Sequence, residues 1–199
     1  MRAALSFIGR NATRRAMSIQ PKIYCDTNTL APNIRGEPSE LEALKRLREL
    51  CQSGKCSMYR SHIVLAELER TQGVEQRERL RADYELVEGI LHDEKLLGSR
   101  AAFDHLGTYA NCPIFSDVQD PKIFEEIYQE LKRRIPREDD FRVRRDAENL
   151  TQAICNNCDV FLTRDRKTII KPLGQWLEQR YPPLKVRLPS QILAEIEHS

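Results

Sequence analysis

Short apolar runs that each fit one β-strand alternate with amphipathic helical patterns along this chain of 199 residues. The apolar runs occupy residues 22–25, 57–60, 159–162 and 184–188. Between them, leucine and isoleucine recur at the three- and four-residue spacing of a helix with one buried face. Strands separated by helices favour an α/β layered fold with mainly parallel pairing.

The helical patterns have recognisable starts. Ser39 is the expected N-cap of a helix whose leucines are 41, 44, 47 and 50, and Gly54 ends it. Ser61 is the expected cap of the next helix, and Pro121 fits the first turn of a helix that runs to Arg134. Asp139 or Asp140 caps a further helix with an apolar stripe at Val143, Ala147, Leu150 and Ile154. Residues 75–92 form a charged helical pattern, and 101–111 are ambiguous.

Two aspartates directly follow apolar strands. Asp26 ends the run Lys22-Ile23-Tyr24-Cys25, and Asp165 follows Val160-Phe161-Leu162 after two residues. Open parallel sheets hold their ligands beyond the C-terminal ends of the strands, so both aspartates are expected at that edge. Asp159 is the competitor for Asp165, but it begins its strand and should lie at the opposite edge. A strand-end aspartate taken alone is often only a turn former.

Two further acids border apolar helix stripes. Glu67 follows Ile63 and Val64 by four and three residues, and Asp146 lies four residues before Leu150. Two strand-end and two helix-borne acids can converge on one cleft. Their carboxylates would repel one another strongly unless a hard cation neutralised them, and Mg²⁺ or Mn²⁺ prefers such oxygen ligands. Scattered histidines argue against a zinc hydrolase.

The net charge of +2 does not by itself indicate a nucleic-acid-binding protein, but the charge is unevenly placed. Residues 132–145 and 164–171 are locally basic, and basic patches of this size can hold phosphates. A solvated helix face is the alternative interpretation. The candidate RNA-binding residues are Arg164, Arg166, Lys167, Arg142, Arg144 and Arg145.

Residues 1–21 are basic and contain no acid, which fits a disordered arm, an organellar transit peptide or a start placed upstream of Met17. Residues 22–199 are expected to form a single domain. No apolar run approaches the roughly 20 residues of a membrane span. Without a secretory signal, the six cysteines indicate reduced thiols and a cytoplasmic protein. Cys155 and Cys158 form a lone C-x-x-C at a helix end, interpreted as structural.

The order of these segments resembles the PIN-domain nucleases. The matching segments are IYCDTNTL, SHIVLAELER, RRDAENLTQAICNNCDVF and FLTRDR, followed by a closing strand at 186–190. The resemblance spans about 22–195 and departs from the family in a helical insertion of about residues 73–135. It implies a three-layer α/β/α sandwich with a mainly parallel central sheet.

The resemblance also implies a function. Asp26, Glu67, Asp146 and Asp165 would be the metal-binding catalytic acids, with Asn28 and Thr163 in support. The expected activity is a Mg²⁺- or Mn²⁺-dependent endoribonuclease acting on RNA, and some family members are toxins paired with an antitoxin protein. An antitoxin and a second copy of the chain are therefore further candidate partners. The alternatives are an inactive PIN fold that binds RNA or protein, and a haloacid-dehalogenase-like phosphohydrolase, whose second signature acid is missing from Asp26-Thr27-Asn28-Thr29.

Overall fold

Four parallel strands form the centre of the structure, a computed structural model that describes residues 20–30, 37–60, 78 and 120–198. The strands are β1 (Lys22–Cys25), β2 (Ser57–Tyr59), β3 (Val160–Leu162) and β4 (Lys185–Arg187). Their order across the sheet is β2-β1-β3-β4, and every neighbouring pair is parallel. The sheet and the helices that connect its strands form an α/β fold, as the sequence predicts.

The central strands are apolar on both faces. Tyr24 pairs with Phe161 in the β1–β3 register, and their rings stack with centroids 5.6 Å apart. Every residue of β3 is fully buried, although successive side chains point to opposite faces of a sheet. Both faces of the sheet are therefore covered, which explains why these strands are continuous apolar runs.

Six α-helices and one π-helical turn accompany the strands in the described residues. They are α1 (Thr27–Leu30), α2 (Pro38–Gln52), α3 (Asp120–Arg134), α4 (Asp140–Cys155), the π-helical turn (Arg166–Ile170), α5 (Lys171–Arg180) and α6 (Pro189–Glu197). α3 packs against α4 and α5, while α2 packs against α6.

Two predicted boundaries are wrong for the same physical reason. α2 begins at Pro38 with Glu37 before it, so Ser39 lies in the first turn and is not the cap. β4 stops at Arg187, and Pro189 begins α6, so the run 186–190 is not one strand. Proline has no backbone N–H to donate and a φ already suited to a helix, so it favours the first helical turn over a strand.

Other predicted boundaries are close to the observed ones. β1 has the predicted limits, and the helix after Pro121 does end at Arg134. Asp139 is the N-cap of α4, because its carboxylate accepts hydrogen bonds from Phe141 N at 3.0 Å and Arg142 N at 3.3 Å. Gly54 follows α2 with a φ of 74°, a left-handed conformation in which glycine avoids strain.

α3 forms the C-terminal part of the predicted insertion and belongs to the main core. Its Ile127 and Leu131 are fully buried within the same apolar cluster as the strands. The expected helix with Glu67 and the segments 75–92 (apart from residue 78) and 101–111 lie outside the described residues. In the described part of the chain, no helix has the length and apolar character needed to cross a bilayer.

Candidate metal site at the carboxyl edge of the sheet

The β1–β3 register places Asp26 beside Thr163. The ladder continues one residue past both strands, with Asp26 N donating to Leu162 O at 3.0 Å and Thr163 N donating to Arg187 O at 3.0 Å. Because these strands are parallel, the residues that follow them meet at one edge of the sheet. Asp26 and the turn that contains Asp165 therefore lie at that same edge.

The hydroxyl of Thr163 links the two aspartates. It donates to Asp26 Oδ2 at 2.7 Å and accepts from the backbone N–H of Asp165 at 3.0 Å. It also accepts from Asn28 Nδ2 at 3.0 Å. One donor and two accepted bonds use the whole hydrogen-bonding capacity of a hydroxyl. Thr163 is fully buried, so these bonds fix the relative positions of β1 and the chain after β3.

Asn28 holds the same carboxylate from the other side. Its Nδ2 donates to Asp26 Oδ2 at 2.6 Å, and its Oδ1 accepts from Arg164 N at 2.8 Å. Thr27 N completes the set with a bond of 2.8 Å to Asp26 Oδ1. The side chains of Asn28 and Thr163 thus contact Asp26, the arrangement expected of supporting residues.

The carboxyl group of Asp26 is buried beside a second acid. Only 5% of Asp26 is exposed, and burial raises its pKa from 3.8 to about 6. The hydrogen bond from Thr163 lowers that pKa and the charge of Asp165 raises it. All donors to Asp26 in the described residues are neutral, so its negative charge has no basic hydrogen-bond partner there. A site with this charge balance suits a bound cation.

Asp165 has a structural role in the same turn. Its Oδ1 accepts from Lys167 N at 2.9 Å and Thr168 N at 2.8 Å, and its Oδ2 accepts from the hydroxyl of Thr168. These contacts cap the π-helical turn. Asp165 is partly exposed. It lies near Asp26, but the turn that it caps sets the orientation of its carboxylate.

Asp146 lies on α4, which crosses the Tyr24 face of the sheet. Asn149 of α4 accepts a hydrogen bond of 2.7 Å from the hydroxyl of Tyr24. α4 leads directly into β3, so it runs opposite to the strands, and Asp146 lies about 4.5 Å from Asn149 towards the carboxyl edge. Asp26 lies about 6.6 Å from Tyr24 in the same direction and on the same face. Asp146 is thus on the half of α4 that lies nearer the carboxyl edge of the sheet.

The described acids do not by themselves complete a metal centre. No group of three or more His, Cys, Asp or Glu side chains in the described ranges is arranged to hold a metal ion. Glu67, the fourth predicted ligand, lies outside those ranges. Asp159 is at the amino edge, where its Oδ2 accepts from Lys22 N at 2.8 Å, so it is far along the strands from Asp26, as expected.

Arg145 does not have the environment of a phosphate-binding residue. It is only 3% exposed, its guanidinium pairs with buried Glu148 at 2.9 Å, and it lies over the ring of Phe141. Its place on the sheet-facing side of α4 explains this burial, because Asn149 is one turn further on. The prediction that Arg145 contacts RNA is inconsistent with that position.

The other predicted RNA-binding residues reach the surface, with different partners. Arg142 pairs with Glu138 at 3.4 Å, and Arg144 pairs with Asp140 at 3.7 Å and lies over the ring of Tyr128. Arg166 pairs with Glu37 at 3.0 Å and Glu40 at 3.1 Å. Arg164 donates to Asn28 O at 3.2 Å, and Lys167 is exposed.

Glu40 and Thr168 have roles that the sequence interpretation missed. Glu40 is 4% exposed and hydrogen-bonded at the same edge of the sheet. The spacing of Glu40, Leu44 and Leu47 would have placed it on the apolar stripe of α2. Thr168 donates its hydroxyl hydrogen bond to Asp165, which caps the π-helical turn. It follows Asp165 by three residues, a spacing at which a capping aspartate can reach a residue of the first turn.

The cysteines in the described residues are mostly buried. Cys25, Cys51, Cys56 and Cys158 are buried, and Cys155 is partly exposed. Burial raises the pKa of Cys158 to about 12, so this thiol stays protonated at neutral pH. Cys112 lies outside the described residues.

Comparisons of the chain with protein-family models, with curated proteins and with solved structures found no match.

Proposed function

We propose that this protein is a Mg²⁺- or Mn²⁺-dependent endoribonuclease of the PIN-domain type. The observation that carries the proposal is the environment of Asp26. It is a buried carboxylate at the carboxyl edge of a parallel sheet, with a raised pKa, a second acid nearby and only neutral hydrogen-bond donors in the described residues. With a pKa of about 6 this carboxyl group is mostly ionised at neutral pH, and a bound cation would neutralise its buried charge.

The packing around the sheet supports a three-layer arrangement. On the face of Tyr24, Phe161 and Val186, α4 contacts Tyr24 through Asn149. Gly174 of α5 comes so close to Val186 that an added Cβ would lie 3.8 Å from Val186 Cβ. Cys25 points to the other face of the sheet. Arg48 of α2 is close enough for its charge to lower the pKa of Cys25, which burial raises, so α2 lies on that face. Helices over both faces are what the PIN-type sandwich requires.

In this proposal Asp26, Asp146, Asp165 and Glu67 hold the metal. A metal held by these residues would supply positive charge that lowers the pKa of an attacking water and balances charge on the phosphodiester. Thr163 and Asn28 orient Asp26 and favour its ionised form through their hydrogen bonds. Arg164 and Lys167, which flank Asp165, contact phosphates of the RNA. An antitoxin partner and a homodimer stay predictions.

The second candidate function is an inactive PIN-type fold that binds RNA or protein. The observation that favours it is the orientation of Asp165, whose two carboxylate oxygens accept bonds from Lys167 and Thr168. If those bonds persist, Asp165 stabilises the turn and contributes no metal ligand. The two functions differ in whether the protein cleaves RNA at all.

Cleavage of labelled single-stranded RNA in Mg²⁺ or Mn²⁺ tests the proposal. Wild type should cleave, EDTA should stop it, and Asp26→Asn and Asp146→Asn should each abolish it with the fold retained. Asp159→Asn is the matched control, because it makes the same change at the opposite edge of the sheet. Cleavage that continues in EDTA contradicts the metal mechanism. Metal-independent RNA binding without cleavage by wild type supports the inactive module.

A further inference from the structure

Glu40 is a buried carboxylate that joins three chain segments at the carboxyl edge of the sheet. It lies in the first turn of α2 and is only 4% exposed. Its Oε1 accepts from Arg166 Nη2 at 3.1 Å and from the hydroxyl of Ser190 at 2.9 Å. Its Oε2 accepts from the backbone N–H of Ser190 at 2.9 Å. Ser190 lies in the first turn of α6, which follows β4, and Arg166 begins the π-helical turn after β3.

The contact with Arg166 bears directly on Asp165. Arg166 is the next residue after Asp165, and the backbone C=O of Asp165 accepts from Ile170 N at 2.9 Å within the turn that Arg166 begins. On its other side, the N–H of Asp165 is held by Thr163. The backbone N–H of Asp165 is therefore held by the Thr163 hydroxyl, and the next residue along the chain, Arg166, is held at Glu40.

We propose that Glu40 is a positioning residue that acts through Arg166 to hold Asp165 at the metal site, an inference that rests on the proposed function. Arg166 is then a link in the scaffold of the site and not a phosphate contact. Glu37 also pairs with Arg166, but that carboxylate is 62% exposed, so water weakens the pair. Glu40 is 6% exposed in its side chain and provides the stronger hold.

The alternative is that Glu40 only anchors α6 to α2 through Ser190. The two roles are separable, because Ser190→Ala removes the hydroxyl contact and leaves Arg166 in place. Glu40→Gln keeps the size of the side chain but replaces one accepting oxygen with an amide nitrogen. That nitrogen cannot accept the hydrogen bond that the oxygen accepted. Arg166→Met removes the same link from a partly exposed position, so it tests the role even if Glu40→Gln impairs folding.

Two measurements test the proposal. Titration with Mn²⁺ should give about 10- to 100-fold weaker binding for Glu40→Gln and Arg166→Met than for wild type, the range usual for residues that orient metal ligands. The double variant should lose no more than the stronger single variant. The amide protons of Lys167 and Thr168, which Asp165 caps, should exchange with solvent at least about tenfold faster in both variants. Ser190→Ala should change neither quantity.

The outcomes are distinct. Wild-type Mn²⁺ binding that depends on Asp26, together with unchanged affinity and amide exchange in Glu40→Gln and Arg166→Met, overturns the role of Glu40 and leaves the proposed function intact. An effect of Ser190→Ala as large as that of Glu40→Gln also overturns it. Wild-type protein that binds no Mn²⁺ overturns the proposed function, and with it the metal-site role of Glu40.

Discussion

Thr163 donates a hydrogen bond of 2.7 Å to Asp26 across a separation of 137 residues. The bond exists because the parallel register of β1 and β3 places the residue after Cys25 beside the residue after Leu162. It connects the two chain segments that carry the strand-end aspartates.

The first prediction concerns Thr163 itself. Thr163→Val should lower the free energy of unfolding by about 1–3 kcal/mol. The N–H of Asp165 loses its acceptor, and the side-chain amide of Asn28 loses one of its two acceptors. The substitution should also raise the pKa of Asp26 further, since the bond from Thr163 lowers it. Thr163→Ser keeps the hydroxyl and is the matched control. Denaturant unfolding of the three proteins measures the effect, and equal stability of Val and Ser variants would contradict it.

The second prediction concerns pH and Asp26. Because the folded-state pKa is about 6 and the ordinary value 3.8, the folded protein binds more protons than the unfolded chain between these pH values. Stability from this group is therefore greatest below about pH 4 and falls by about 3 kcal/mol as pH rises through about 6. The difference in unfolding free energy between wild type and Asp26→Asn, measured without metal, should show this fall.

Other acids titrate in the opposite direction, which is why the comparison with Asp26→Asn is needed. Hydrogen bonding from Arg133 lowers the pKa of Glu130 to about 2, so that group contributes stability that is lost as pH falls. Both proteins share this contribution, and it cancels in the difference. Adding Mn²⁺ at pH 7.5 should stabilise wild type and leave Asp26→Asn unchanged. A pH-independent difference would show that Asp26 is ionised normally.

Much of the scaffold is readable from the sequence, because it depends on local patterns. β1 is a short apolar run, and Asp139 precedes a helix with a regular stripe. The contact between Asp26 and Thr163 is harder to predict, because it requires the strand register as well as the strand positions. The capping role of Asp165 depends on the π-helical turn, for which the sequence interpretation predicted no element.

The burial of charged residues is the feature of the fold that is hardest to predict from the sequence. Arg145 belongs to a basic run, and a basic run usually indicates a solvated face. Its burial depends on which side of α4 faces the sheet, and the contact between Tyr24 and Asn149 determines that side. The burial of Glu40 is equally hard to predict from the sequence, because the neighbouring acids Glu37 and Glu42 are exposed. Tertiary packing selects one acid of the three.

The third prediction concerns Cys155 and Cys158. Replacing both with Ser should leave ribonuclease activity largely intact, and purified protein should contain no stoichiometric zinc. Cys158 is 1% exposed, so its replacement carries a packing cost. Because its pKa is raised to about 12, Cys158 should react with iodoacetamide at pH 8 more slowly than the partly exposed Cys155. Zinc that is lost with the double change would contradict a structural role.

The last prediction concerns the salt dependence of RNA binding. In the Asp26→Asn background, charge reversal at Arg164 and Lys167 should weaken binding to all single-stranded RNA sequences alike, because phosphates carry no sequence information. It should also reduce the slope of log affinity against log salt by about 0.7 for each phosphate contact removed. Arg180→Glu is the control, because Arg180 pairs with Glu126 at the far end of α5. Arg166→Glu should change the slope little, since Arg166 is held by Glu37 and Glu40. An unchanged slope for Arg164→Glu and Lys167→Glu would place the RNA on another surface.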